Sequence, residues 1–129
     1  AGIALNILGT VLSLTQNKKF DSREQAKKIE LAKIIMIEHI HENINMKELA
    51  GNIGIDYSTF RKIFKEHTGY APLQFFHELK LRRAKELLTE TSKPVKEIAY
   101  ELGFGTYEYF LSFFLKKTGK SPSNYKNKR

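Results

Sequence analysis

The sequence predicts an all-α protein in which a long helix joins two similar helical subdomains. Three observations lead to this prediction. Part of the chain repeats at a spacing of about 50 residues, and apolar residues within each repeat recur every three or four positions. The composition of the 129 residues, 41% hydrophobic and 28% charged, is typical of one folded domain or of two very small ones.

The N-terminal segment, residues 1–26, is predicted as a linker or as the end of a portion of the protein that lies upstream. Its apolar part, residues 3–14, is shorter than the roughly 20 residues that cross a bilayer, and polar residues interrupt it. No membrane partner is therefore expected. Because the chain begins with Ala1, we expect a missing N-terminal portion. A frayed helix at a cut end explains the apolar stretch equally well.

The first subdomain is predicted over residues 27–71. Asn45 is placed to cap a short helix that Gly54 ends, and Asp56 is placed to cap a second helix that Gly69 ends. The residues that helical spacing turns inward are Met46, Leu49, Ala50 and Ile53 in the first helix, and Phe60, Ile63, Phe64 and His67 in the second. Two short helices joined through a glycine form a helix-turn-helix, whose second helix is shaped to enter a major groove.

A linker helix is predicted over residues 72–90, because Pro72 opens a segment without further proline or glycine until Pro94. About 18 helical residues at roughly 1.5 Å each give about 27 Å, a little under one turn of B-DNA. Such a length would allow two recognition helices to enter successive major-groove segments on one side of a duplex.

The second subdomain, residues 91–129, repeats the first. Lys47, Glu48, Ala50 and Gly54 recur 49 positions later as Lys96, Glu97, Ala99 and Gly103. Phe60, Phe64, Thr68, Gly69 and Pro72 recur 50 positions later as Phe110, Phe114, Thr118, Gly119 and Pro122. One residue has therefore been added in the turn between the helices.

The sequence T-G-K-S-P at residues 118–122 ends like a phosphate-binding loop, but Phe114 stands where that loop needs glycine. The repeat gives a better interpretation. Gly119 ends a helix as Gly69 does, and Pro122 begins the next one as Pro72 does. Ser121 is then expected to cap a short terminal helix.

Together the repeats resemble the DNA-binding domain of the AraC/XylS family of bacterial transcription regulators. The resemblance covers roughly residues 28–126. It rests on M-K-E-L-A-G-N-I-G-I-D at 46–56, F-R-K-I-F-K at 60–65, A-K-E-L-L at 84–88, V-K-E-I-A-Y-E-L-G-F at 95–104, Y-F at 109–110 and T-G-K-S-P-S-N-Y at 118–125.

This resemblance implies two homeodomain-like helix-turn-helix units bridged by a long helix, each reading promoter DNA through one helix. It implies a preceding helix at about residues 27–39. It also implies a missing upstream sensing or dimerisation domain, of which residues 1–26 could be the end and through which the whole protein could form a homodimer. RNA polymerase is a further partner implied by the family, and the bacterial cytoplasm and nucleoid are the implied location. Lys80 stands where the family usually has arginine, which puts a bidentate ion pair there in doubt.

Candidate DNA-binding residues lie on the second helix of each subdomain. In the first they are Tyr57, Ser58, Arg61, Lys62 and Lys65. Arg61 can donate two hydrogen bonds to guanine O6 and N7, whereas Lys62 and Lys65 offer point charges to a base or the backbone. A merely solvated helix face is the alternative, and the repeat makes it the weaker one.

Carried into the second subdomain, the same positions give Tyr107, Glu108, Leu111, Ser112 and Leu115. Ser112 and Leu115 replace residues that are often basic in the family, so a weaker and less selective second reader is expected. Glu108 could accept a hydrogen bond from cytosine N4, and Leu111 or Tyr107 could touch a thymine methyl. The predicted anchors to the backbone are Lys116, Lys117 and Lys120.

The aromatic run of the second subdomain could be a base-stacking platform, but the repeat favours core packing for Phe110 and Phe114. Tyr107 is the aromatic residue expected to face outward. Arg82, Arg83 and Lys85 on the linker helix are either phosphate contacts or solvated charges.

Charge supports a nucleic-acid partner. The formal net charge is +8, and residues 45–129 hold 16 Lys and Arg against 9 Asp and Glu. No metal site or cofactor is expected, because the chain has no cysteine and its four histidines form no ligand pattern; His39 and His41 would point to different faces of a helix.

No enzyme is expected either, because no catalytic constellation occurs. Two alternatives to a regulator remain: an appendage of a DNA-repair alkyltransferase, and a helical interaction module whose DNA face has decayed.

Overall fold

The computed structural model describes residues 22–126, which are helical throughout except for short turns. Seven helices follow in order: α1 at 22–38, α2 Met46–Asn52, α3 Tyr57–Thr68, α4 Pro72–Glu90, α5 Val95–Glu101, α6 Tyr107–Thr118 and α7 Pro122–Lys126. The predicted all-α fold, with two helix-turn-helix subdomains and a long linker helix, is confirmed. Among the residues described here, no helix is long and apolar enough to cross a membrane.

The first subdomain packs α1, α2 and α3 around one apolar core. Phe60 and Phe64 of α3 are fully buried, and their rings meet edge to face with centroids 5.5 Å apart. Asn45 caps α2 by accepting hydrogen bonds from the amides of Lys47 and Glu48, as predicted. Asp56 caps α3 by accepting one from the amide of Thr59, at 3.1 Å.

The second subdomain packs α5, α6 and α7 in the same way. Phe110 and Phe114 of α6 are fully buried, which confirms core packing over a stacking platform. The added residue lies in the α5–α6 turn, where Gly103 and Gly105 both have positive φ and Thr106 caps α6. Glycine adopts left-handed conformations at little cost, so this turn can accommodate the additional residue.

The repeated Thr-Gly pair ends both recognition helices by one hydrogen-bond pattern. The Thr68 hydroxyl donates to the carbonyl of Phe64 and accepts from the amide of Tyr70. In the second copy the Thr118 hydroxyl donates to Phe114 and accepts from Lys120. Ser121 then caps α7 by accepting from the amide of Asn124, at 3.2 Å, as expected.

α4 joins both cores. Phe76, near its start, belongs to the first core, whereas Leu81, Ala84 and Leu88 belong to the second. Its 19 residues give a length of about 28 Å at 1.5 Å per residue. The linker helix α4 therefore contributes residues to the cores of both subdomains.

Three expectations from the sequence were wrong in detail. His67 is exposed instead of inward-facing: it lies in the last turn of α3, where a basic side chain in water suits the helix dipole. Tyr107 is half-buried, whereas Tyr100 and Tyr109 of the same subdomain are exposed. His39 and His41 share a turn after α1, so their rings stack at 6.4 Å instead of diverging. The expectations for residues 1–21 lie outside the described part of the chain.

Candidate nucleic-acid interface

The first recognition helix, α3, presents a basic face to solvent. Ser58, Arg61, Lys62 and Lys65 are exposed, and with Tyr57, Glu66 and Ala71 they line one open groove. The opposite side of α3 carries Phe60, Ile63 and Phe64 into the core. The same spacing that buries three apolar residues therefore aligns one arginine and two lysines on the outer surface.

Tyr57 connects this basic face to the body of the subdomain. Its half-buried ring packs against the first core, while the Arg61 guanidinium and the Lys47 ammonium each lie 5.7 Å from the ring centroid. Cations at this distance are attracted to the face of the ring. Tyr57 therefore orients Arg61. Lys47, which lies on α2, is a further cation at this face, and helix periodicity alone could not reveal it.

The second recognition helix, α6, keeps the tyrosine contact and loses the basic face. The Lys96 ammonium lies 5.6 Å from the ring centroid of Tyr107, as Lys47 does from Tyr57. Leu111 occupies the position of Arg61 and is half-buried, whereas Glu108 and Ser112 are exposed. The outer surface of α6 is therefore close to neutral until its last turn, where Lys116 is exposed.

A cleft between α4 and α6 lies beside Ser112. It is lined by His77, Tyr109, Ser112, Phe113, Lys116 and Lys117. The Lys117 ammonium is 3.3 Å from a Glu78 carboxylate oxygen, so this predicted anchor is partly neutralised. Burial, with smaller contributions from Lys117 and Lys80, lowers the pKa of His77 below its usual value. Burial thus favours the neutral form of His77, and Lys116 is the main cation of the cleft.

The structure thus brings the predicted residues together in two separate groups. The α3 group is contiguous, and the α6 group is Tyr107, Glu108, Leu111, Ser112 and Lys116 on one helix. Lys120 lies just beyond Gly119 in the turn to α7 and is half-buried. Within residues 22–126, His, Asp and Glu side chains form no cluster of three that could hold a metal ion.

Lys80 of α4 is the one buried charged residue among those described, with 3% of its surface exposed. Its ammonium donates to three backbone carbonyls, those of Ile40 and Glu42 at 2.9 Å each and that of Leu102. The bidentate ion pair doubted from the sequence is thus replaced by a set of carbonyl acceptors. Burial lowers the pKa of Lys80 to about 8, which leaves the ammonium mostly charged at neutral pH.

In a comparison with known protein families, residues 49–128 match a helix-turn-helix domain. Among curated proteins, the chain is 29% identical over 102 residues to the HTH-type transcriptional regulator ArgR of Pseudomonas aeruginosa, covering 79% of this chain and 31% of ArgR. It is 31% identical over 85 residues to the HTH-type transcriptional activator RhaS of Enterobacter sp. strain 638, covering 66% of this chain and 31% of RhaS.

A third relative is much longer. Histidine kinase P4 of Formosa agariphila is 29% identical over 96 residues, which cover 74% of this chain and 7% of the kinase. The chain therefore spans about a third or less of the length of the curated relatives it matches.

Solved structures show the same likeness. The DNA-binding domain of AdpA, a global transcriptional factor in complex with a target DNA, aligns with a TM-score of 0.72 and 28% identity over 77% of this chain and 89% of that chain. An AraC-type regulator from Chromobacterium violaceum aligns with a TM-score of 0.72 and 26% identity over 79% of this chain and 91% of that chain.

Proposed function

The chain belongs to the AraC-type family of helix-turn-helix DNA-binding domains, and we propose that it binds promoter DNA sequence-specifically as part of a bacterial transcription regulator. The observation that carries the proposal is the exposed face of α3, where Arg61, Lys62 and Lys65 lie together opposite the buried core. The AdpA domain, which has the same fold, was crystallised on its target DNA.

In this proposal α3 and α6 enter successive segments of the major groove, and α3 is the main reader. Arg61 donates to guanine O6 and N7, and its contact with Tyr57 limits the rotamers that it samples in the free protein. Lys62 and Lys65 contact a base or a phosphate. α6 contributes shape, the carboxylate of Glu108 and the charge of Lys116, so its half-site is read less strictly.

The remaining functions of a regulator are proposed for the longer protein. We propose that an upstream domain senses a signal or dimerises, and that the DNA-bound protein contacts RNA polymerase in the bacterial cytoplasm. The relatives reported above are two regulators and a kinase, which favours a regulator over an appendage of a repair enzyme. The helix-turn-helix portion itself binds DNA and performs no catalytic step.

A salt titration tests the proposal directly. Binding of a random duplex should weaken steeply as salt rises, because each phosphate contact releases a condensed counterion and contributes about 0.9 to the slope of log K against log salt. Lys62→Ala together with Lys65→Ala should reduce that slope by about 2. A single-lysine control is Lys27→Ala on α1, which removes one exposed lysine and should leave the slope nearly unchanged.

A flat salt response of the wild-type chain would exclude DNA binding and favour the interaction module. If binding does weaken with salt, selection of bound duplexes from a random pool would define the preferred site. The length of the recovered site shows whether one recognition helix or both read bases.

A further inference from the structure

The two subdomains touch each other through the loop between α1 and α2, residues 39–45. Ile40 comes from the first subdomain, yet its side chain packs against the core of the second. One residue later, the His41 carbonyl lies so close to Gly103 that a Cβ there would be 2.7 Å from its oxygen. The first subdomain therefore supplies part of the second, with backbone against backbone at the contact.

Lys80 lies at the centre of this contact. Two of its carbonyl acceptors, Ile40 and Glu42, belong to the loop of the first subdomain, and the third, Leu102, caps the C-terminus of α5 in the second. Its ammonium also lies 4.7 Å from the ring centroid of Phe76 and 5.6 Å from that of Phe104. Phe76 belongs to the first core and Phe104 to the second.

This arrangement resists relative motion of the subdomains for a chemical reason. An ammonium has three N–H donors, and here three carbonyls from two subdomains accept them while Lys80 is only 3% exposed. Rotating one subdomain against the other would withdraw at least one carbonyl and leave a buried charge partly unsatisfied. Because unsatisfied buried charges are strongly unfavourable, one orientation is selected over its neighbours.

We infer that Lys80 is a positioning residue that fixes the relative separation and rotation of α3 and α6, and thereby sets which spacing of two half-sites on DNA the protein accepts. The inference rests on the proposed function. Inserting one base pair moves a half-site by about 3.4 Å along the duplex and by about 35° around it. Two rigidly joined recognition helices cannot follow such a shift without losing the contacts of one of them.

The experiment uses the duplex recovered by selection, together with versions that carry one extra or one missing base pair between the two half-sites. For the full chain, the ratio of affinities for the selected and altered spacing is measured by fluorescence anisotropy. Wild type should prefer the selected spacing by about tenfold or more, comparable to the loss of a specific base contact. Lys80→Met, which keeps the length of the side chain and removes the charge, should bring the ratio to within about threefold.

Two further variants separate positioning from stability. Ile40→Ala weakens the same contact from the opposite side and should also lower the spacing ratio, so it answers the question if Lys80→Met does not fold. Ile29→Ala destabilises the first core through a residue that is 1% exposed and lies in α1. It should lower the melting temperature and leave the spacing ratio as in wild type.

The inference is overturned if folded Lys80→Met, or Ile40→Ala in its place, keeps the wild-type ratio. It is also overturned if wild type binds all spacings equally, or if Ile29→Ala lowers the ratio as much as Ile40→Ala does. Failure of the proposed function looks different, because wild type would then show no salt-dependent binding to any duplex.

Discussion

The two helix-turn-helix subdomains match inside and differ outside. Phe60 and Phe64 in the first and Phe110 and Phe114 in the second are all fully buried, and the Thr-Gly pairs end both recognition helices with the same hydrogen bonds. The outward faces of α3 and α6 differ more, although each keeps a tyrosine that contacts a lysine of the preceding helix. The repeat therefore retains what packing requires, whereas the surface that meets a partner is free to specialise.

This difference divides the work between the subdomains. The first offers Arg61, Lys62 and Lys65, all suited to guanine and phosphate. The second offers half-buried Leu111 and uncharged Ser112 in place of the first two. In the proposed function, specific reading is therefore concentrated in α3, and the second subdomain is proposed to act mainly as an anchor held at a set distance.

The largest effects test the shared interior. Phe64→Ala and Phe114→Ala each remove a fully buried ring, and each should lower the free energy of unfolding by about 3–5 kcal/mol. Urea denaturation followed by circular dichroism measures both. Equal losses support equivalent cores; a loss in one variant below about 1 kcal/mol would show that its core collapses around the gap and that the interiors differ.

The next effect tests the unequal faces. Arg61→Ala should weaken binding to the selected duplex by about 1–3 kcal/mol and relax selectivity at one base pair, whereas Ser112→Ala should change little. Anisotropy titrations with the selected duplex and with single-base variants give both quantities. The reverse order of effects would make α6 the main reader.

Adding lysines to α6 should reduce the difference in positive charge between the outer faces of α3 and α6. Ser112→Lys with Leu115→Lys places two lysines at the positions of Lys62 and Lys65, and should steepen the slope of log K against log salt by up to about 2. Leu31→Lys with Ile34→Lys adds the same charge to exposed positions of α1 and serves as the matched control. If both pairs steepen the slope equally, α6 has no privileged position on DNA and the proposed docking is wrong.

The smallest effect distinguishes the caps of the recognition helices. Hydrogen bonds from Thr59 lower the pKa of the Asp56 carboxyl below 3.8, whereas the cap of α6, Thr106, does not titrate in acid. A lowered folded pKa means that the Asp56 carboxylate stabilises the fold above the unfolded pKa, and that this stabilisation is lost as pH falls through the folded pKa.

Melting temperatures from about pH 6 to about pH 2 measure this distinction. The difference between wild type and Asp56→Ala should shrink towards the acid end, while Thr106→Ala, with a cost of about 1 kcal/mol, should keep its difference from wild type. A difference for Asp56→Ala that does not change with pH would show that its carboxylate contributes nothing as a charged cap.

Local patterns were enough to predict most of the fold. Glycines with positive φ, the caps at Asn45 and Asp56 and the buried phenylalanines all follow from residues within a few positions of one another. The partners of Lys80 could not be predicted in this way, because its acceptors Ile40 and Glu42 are 40 and 38 positions away and are backbone atoms. Side-chain identity carries no information about which carbonyls will meet a buried ammonium.

The candidate DNA-binding site was likewise predicted only where its residues lie close together in the sequence. Periodicity placed Arg61, Lys62 and Lys65 on one surface of α3, and the structure agrees. It did not find Lys47, because that residue reaches Tyr57 from another helix. It also overestimated the outward exposure of Tyr107, whose ring is half-buried beside Lys96.

Ile40 has a consequence for how the chain folds. The second core contains a side chain that arrives from the loop before α2, and α4 supplies residues to both cores. The second helix-turn-helix cannot complete its interior without the loop before α2, and both cores need α4, so the two should form in one cooperative step. The second subdomain expressed without that loop would expose an apolar gap where Ile40 packs, and a truncation or fusion that preserves both cores must therefore keep the pair together.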